Sequence, residues 1–148
     1  MLRFLFLLLI SPILNAQAAP RLQSSCPGSP DIGEVDGAMF RGSPFSVDVV
    51  TSGPGGVALL VMSLENGISY PVPQDMSLFG YSSGCMVWAA DVVLWNGTTD
   101  QSNNARVVVP VPLDPLLAGH RAWLQVWEPD ASTPLGLTFS FGLEIWIF

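Results

Sequence analysis

The sequence predicts an all-β chain folded as an antiparallel β-sandwich of seven or eight strands, and three observations carry that expectation. No segment sustains a helical repeat, because 14 glycines and 13 prolines interrupt nearly every window of ten to fifteen residues. Short β-rich runs recur instead, each closed by turn residues. Hydrophobic residues make up 49% of the 148 residues and charged ones only 11%, so there is ample apolar area to offset chain entropy.

The elements follow in order. Phe45-Ser46-Val47-Asp48-Val49 alternates apolar and polar, the pattern of a strand with one buried face. Thr51 to Gly56 reads as a turn, and Val57 to Leu64 as an apolar strand covered on both sides. Met76 to Phe79 is a short strand candidate. Cys85 to Trp95 is a longer one, ended by an Asn96-Gly97 turn. Ala105 to Val111 carries Pro110 and is followed by Pro112, which suits an edge strand or an exit from the sheet. Arg121 to Trp127 and Leu137 to Phe148 complete the set, the apolar C-terminus being expected to pair within the sheet. The sandwich is of the immunoglobulin or jelly-roll kind; the alternative is a small closed β-barrel.

Residues 1–18 read as a secretory signal peptide. Arg3 supplies the basic start, Phe4 to Ile10 the apolar run and Ala16-Gln17-Ala18 the cleavage site. Seven apolar residues fall well short of the roughly 20 a spanning helix needs, so no membrane span is expected after cleavage. Residues 19–148 then form a single domain with a loose start over about ten residues. Losing Arg3 makes the exported chain one unit more acidic than the full chain's −7. With no lysine, one histidine and no basic stripe, a nucleic-acid partner is excluded as an expectation. In an oxidising compartment the two cysteines, Cys26 and Cys85, are expected to form one structural disulfide. Neither has the CxxC spacing or flanking cation of a reactive thiol.

Catalytic chemistry finds little to work with. His120 is the only histidine and has no nucleophile elbow to serve, so it reads as a strand-edge residue. A zinc site lacks ligands once both thiols are paired, and Gly53-Pro54-Gly55-Gly56 lacks the lysine of a phosphate loop. Asp31-Ile32-Gly33-Glu34-Val35-Asp36 and Asp100-Gln101-Ser102-Asn103-Asn104 offer oxygen ligands for Ca²⁺. Neither has the EF-hand spacing, and solvated loops are the expectation. Asn96-Gly97-Thr98 fits a glycosylation sequon and equally an ordinary turn, which is the reading adopted. No cofactor or metal is expected.

A set of turns and strand edges is familiar: Cys26-Pro27-Gly28, Gly42-Ser43-Pro44-Phe45, Ser83-Gly84-Cys85, Val109-Pro110-Val111-Pro112, Leu117-Ala118-Gly119, Leu124-Gln125-Val126-Trp127, Pro134-Leu135-Gly136 and Phe139-Ser140-Phe141-Gly142-Leu143. This order resembles the small all-β modules found alone or at the C-terminal ends of large exported bacterial proteins. The resemblance spans the mature chain and implies an all-β fold, export, and no established catalytic activity. It transfers no functional residues. The chain departs from that pattern in its Trp-rich final strands and in the acidic Asp31–Asp36 stretch.

The functional expectation is a secreted, periplasmic or cell-envelope module that binds a protein or glycan, or serves structurally, without catalysis. The alternative is a small exported hydrolase using a carboxylate pair. Alternation along Arg121–Trp127 puts Ala122, Leu124 and Val126 on one face and Arg121, Trp123, Gln125 and Trp127 on the other, with neighbours about 7 Å apart. The last run divides likewise, leaving Glu144, Trp146 and Phe148 on its more polar face. If the two strands pair, Arg121, Trp123, Gln125, Trp127, Glu144 and Trp146 form a candidate ligand surface. The competing expectation, which takes precedence, is that these tryptophans plug the sandwich or cover its ends.

Overall fold

The computed structural model describes residues 21–148 except 25, 27, 29, 37–38 and 66–72. The leader read over residues 1–18, and Pro27 of the Cys26-Pro27-Gly28 motif, lie outside the described residues.

Eleven strands are present among the described residues: β1 (Arg21–Leu22), β2 (Asp31–Asp36), β3 (Pro44–Val50), β4 (Val57–Leu64), β5 (Gln74–Asp75), β6 (Met86–Val87), β7 (Val92–Thr98), β8 (Asn104–Pro110), β9 (Arg121–Pro129), β10 (Leu137–Phe139) and β11 (Gly142–Trp146). They form an antiparallel sheet in the order β2-β3-β8, a second in the order β1-β11-β9-β4-β7 with β10 also on β9, and a two-stranded ribbon β5-β6. In immunoglobulin lettering, β2-β3-β8 matches A-B-E and β11-β9-β4-β7 matches G-F-C-C′. Neither sheet closes on itself among the described residues, so the barrel alternative falls.

The inward faces follow from alternation. Phe45, Val47 and Val49 of β3 are buried against Ala58 and Leu60 of β4, Ala122, Leu124 and Val126 of β9, and Leu143 and Ile145 of β11. Strand β4 is also buried on its outward side at Val61 and Ser63, as its continuous apolar run implies. The cover there is the segment 73–91, which returns over the outside of the six-stranded sheet. It has a small core of its own: Cys26, Met76, Tyr81, Cys85, Val87 and Phe139, with Trp127 and Leu137 packed against it. The Cys26–Cys85 disulfide lies in this outer cap rather than between the two sheets.

Four local expectations are corrected. Met76–Phe79 is a 3₁₀ turn instead of a strand: the Asp75 carboxylate caps it by accepting from the Ser77 N–H, and Gly80 ends it at φ 87°. The run Cys85–Trp95 divides because the N–H groups of Trp88, Ala89 and Ala90 are taken by the side chains of Gln125 and Ser63 instead of a neighbouring strand, while the Asp91 N–H is shared between the Ser63 hydroxyl and the Met62 carbonyl where pairing with β4 resumes. Asn96-Gly97 is strand, paired with Leu59 and Ala58, and the turn falls at Asp100–Asn104. There the Asp100 carboxylate accepts from the Ser102 and Asn104 N–H groups. The Leu137–Phe148 run breaks at Ser140, whose hydroxyl accepts the Val126 N–H.

Within the segment expected to be loose, residues 21–23 are held by the sheet and the cap. Arg21 and Leu22 pair with Leu143 and Gly142, and the Gln23 carbonyl accepts from the Trp88 indole. At the other end the apolar terminus is held by its backbone: Ile147 donates to the His120 carbonyl, Phe148 donates to Met39, and Arg41 donates to Phe148.

Replacing both cysteines by alanine frees a 59-residue separation in the unfolded chain and is expected to cost about 4 kcal/mol in the loop-entropy model. Urea unfolding checks the magnitude. Amide exchange checks the location, with protection lost first around Met86–Ala90 and retained in β3, β4 and β9.

Candidate binding surface

The outer face of the six-stranded sheet is a grid set by register. Along β9 the outward residues are Arg121, Trp123, Gln125 and Trp127. On β4 they face Ser63 (opposite Trp123), Val61 (opposite Gln125) and Leu59 (opposite Trp127). On β11 Glu144 lies opposite Trp123 and Trp146 opposite Arg121. The pairing of β9 with β11 therefore brings the two polar faces together.

The cap divides this grid in two. Gln125 is 0% exposed, and its amide is fully engaged. Nε2 donates to the carbonyls of Met86 and Ser140, both at 2.8 Å, while Oε1 accepts from the Trp88 N–H at 2.9 Å and more weakly from the Ala89 N–H and the Trp127 indole at 3.4 Å. Trp127 is half-buried and meets Phe139 edge to face, 5.3 Å between ring centroids. Trp88 packs directly over Gly142, where a β-carbon would collide with its ring. Gln125 and Trp127 thus belong to the joint between cap and sheet and leave the candidate surface.

The uncovered half holds Arg121, Trp123, Glu144 and Trp146, joined by residues the sequence did not single out. Arg121 donates to Glu65 through Nε and Nη2, lies 3.9 Å from Glu144, and places its guanidinium 5.6 Å from the centre of the Trp146 ring. Trp146 is 47% exposed and Phe148 60%, whereas Ile147 between them is buried. Phe148 in turn meets the exposed Phe40, with ring centroids 5.9 Å apart. The result is a row Phe40–Phe148–Trp146 ending on the Arg121 cation. Phe40 sits in an irregular segment with no periodicity to reveal it, and Glu65 lies across the sheet; only the folded chain assembles them. Trp123 is half-buried behind the row.

Electrostatically the cation fixes its partners. The Arg121 hydrogen bond holds the Glu65 carboxyl below the usual carboxylate range against an opposing desolvation effect, and the same bond raises Arg121 further. Elsewhere, Asp36 and Asp48 flank Arg106 at 2.8 and 3.4 Å on the opposite sheet, which absorbs part of the acidic Asp31–Asp36 stretch into an exposed ion triad. The Asp100 carboxylate is spent on its own turn. The His120 backbone accepts from Ile147 and donates to Leu117, placing it at a strand edge. No group of three or more His, Cys, Asp or Glu side chains able to hold a metal occurs among the described residues.

Gln125→Ala removes the side-chain partner of the Ser140 carbonyl and of the Trp88 N–H and leaves the Met86 carbonyl only its longer bond from the Ser24 hydroxyl, and it is expected to destabilise by about 3 kcal/mol or more in urea unfolding. Trp146→Ala, at an exposed ring, is expected to stay within about 1 kcal/mol of wild type. Because Glu65 is depressed in the folded state, its stabilising contribution is complete above the ordinary value near 4.5 and is lost as the pH falls through the lower folded value. Unfolding midpoints recorded from pH 6 down to 3 should therefore fall less steeply for Glu65→Gln than for wild type. No protein-family model, no curated protein and no solved structure matches this chain, so its functional reading comes from its own residues.

Proposed function

We propose that the protein is a secreted or cell-envelope module that binds a protein or glycan through an exposed aromatic surface and performs no catalysis, in keeping with the exported bacterial modules it resembles. The observation that carries the reading is the row Phe40–Phe148–Trp146 with Arg121 at its end. Flat rings beside a cation are the residue types that anchor protein partners, and their faces stack on sugars. The chain closes half of the same sheet face with a disulfide-bonded cap, yet this half keeps three large rings in water. Export is supported by the signal-like pattern from Arg3 to Ala18 and by the disulfide, which suits an oxidising compartment. Among the described residues no helix is long and apolar enough to cross a membrane.

For the hydrolase alternative, the carboxylates nearest the aromatic row are Glu65 and Glu144, both beside Arg121. The Arg121 hydrogen bond that lowers Glu65 makes this carboxyl a poor proton donor for such a pair.

Immobilised mature protein is expected to retain a distinct set of envelope proteins or glycans. The double variant Trp146→Ala, Phe148→Ala should lose them while keeping its unfolding midpoint. Equal retention by that variant would overturn the assignment of the surface. Turnover of ester, peptide or glycoside substrates abolished by Glu65→Gln or Glu144→Gln would overturn the non-catalytic reading.

A further inference from the structure

We propose that strand β7 is a self-association edge, pairing antiparallel with β7 of a second copy across a two-fold axis. Among the described residues the two larger sheets end in four strands with a neighbour on one side only, and three of these are guarded or short. Strand β2 carries Asp31, Glu34 and Asp36. Strand β8 carries Arg106 and ends in Pro110, and β1 is two residues long. These are the devices that keep edges from adding strands.

Strand β7, Val92-Val93-Leu94-Trp95-Asn96-Gly97-Thr98, has seven residues with no charge and no proline. Its one interruption is the bulge where Leu94 has no counterpart between Trp95↔Leu60 and Val93↔Val61. Val92 and Val93 are 49% and 56% exposed.

Charge selects the occupant. The chain carries a net −7, so two copies repel over most of their surface. Strand β7 itself carries no charge. Of the acids that flank it, Asp91 has both carboxylate oxygens buried, and Asp100 turns its carboxylate onto the Ser102 and Asn104 N–H groups. An uncharged edge suits a second, equally uncharged edge; a basic partner would find its complement elsewhere on this acidic chain.

Pairing would also cover apolar surface. Val92 and Leu94 form one rim of a cleft of about 280 Å³ between the sheets, lined further by Met62, Leu64, Val109 and Val111. A strand added beside β7 lies along that rim, and two-fold symmetry makes the cover mutual. This face is separate from the aromatic row, so the two assignments stand or fall independently.

The test is sedimentation velocity of the disulfide-intact mature chain over a concentration series, with amide exchange at the two ends of the series. Reversible dimerisation is expected, with protection of Val92–Thr98 rising with concentration. Val93→Lys and Asn96→Lys, both at exposed positions, place like charges along the paired strands. Combined, they should raise the dissociation constant by on the order of tenfold or more, while Val108→Lys on the outside of the opposite sheet leaves it unchanged. Circular dichroism and unfolding midpoints verify that each variant is folded. A wild-type chain that stays monomeric to its solubility limit would overturn the proposal, as would a dimer equally strong in the folded double variant.

Discussion

The amide of Gln125 is the joint on which the outer half of this structure depends. Strand β9 is central to the six-stranded sheet, with β11 on one side and β4 on the other. Gln125 projects from its middle, away from the sandwich core. The connection between β4 and β7 arrives over that face as irregular backbone with donors and acceptors of its own. Burying such backbone without partners would cost a few kcal/mol for each group. Gln125 supplies both an acceptor and donors from a single rigid plane, and Ser63 one strand away accepts the next two N–H groups, of Ala90 and Asp91. Strand pairing is thus replaced by side chains at the points where the chain leaves the ladder.

Once that joint is made, the disulfide and the second apolar cluster follow from it. Cys85 precedes Met86, whose carbonyl is bound by Gln125, and Cys26 follows Ser24, whose hydroxyl accepts the Met86 N–H. The bridge therefore fastens an N-terminal segment to a cap already registered on the sheet. Tyr81 closes the far side, its hydroxyl donating to the Leu137 carbonyl at 2.6 Å while its ring meets Phe139. This divides the protein into a sandwich core stabilised by aliphatic alternation and an outer core stabilised by aromatics, a covalent link and backbone satisfaction.

The same division shapes the candidate surface. A sheet face that is wet at one end and covered at the other imposes different requirements on one alternating row of residues. At the covered end a polar side chain must be fully satisfied, and Gln125 is. At the open end Arg121 spends its charge on Glu65 while keeping contact with Trp146, so the rings rest beside a neutralised, ordered cation. That ordering reduces the side-chain entropy lost when a ligand binds.

Much of this was legible from the sequence because it is local. The two-residue repeat fixes which side chains share a face, so Phe45, Val47 and Val49, the limits of β4, and the inward trio Ala122, Leu124 and Val126 are readable without a structure. Two cysteines in an oxidising context allow one bridge. Alternation says nothing of what lies against each face, however. That Gln125 and Trp127 are covered while Trp146 is open depends on residues up to 39 positions away returning over the sheet. Phe40 and Glu65 reach the site by the same long-range route. The Asn96-Gly97 pair shows the limit from the other side: its local preference for a turn gives way to pairing with β4, with Trp95 packed over the glycine. The sequence by itself determined the strands' inward faces and the covalent link, because those rest on neighbouring residues and composition. Tertiary structure alone decided which outward residues meet water, because burial of a sheet's second face is set by segments distant along the chain.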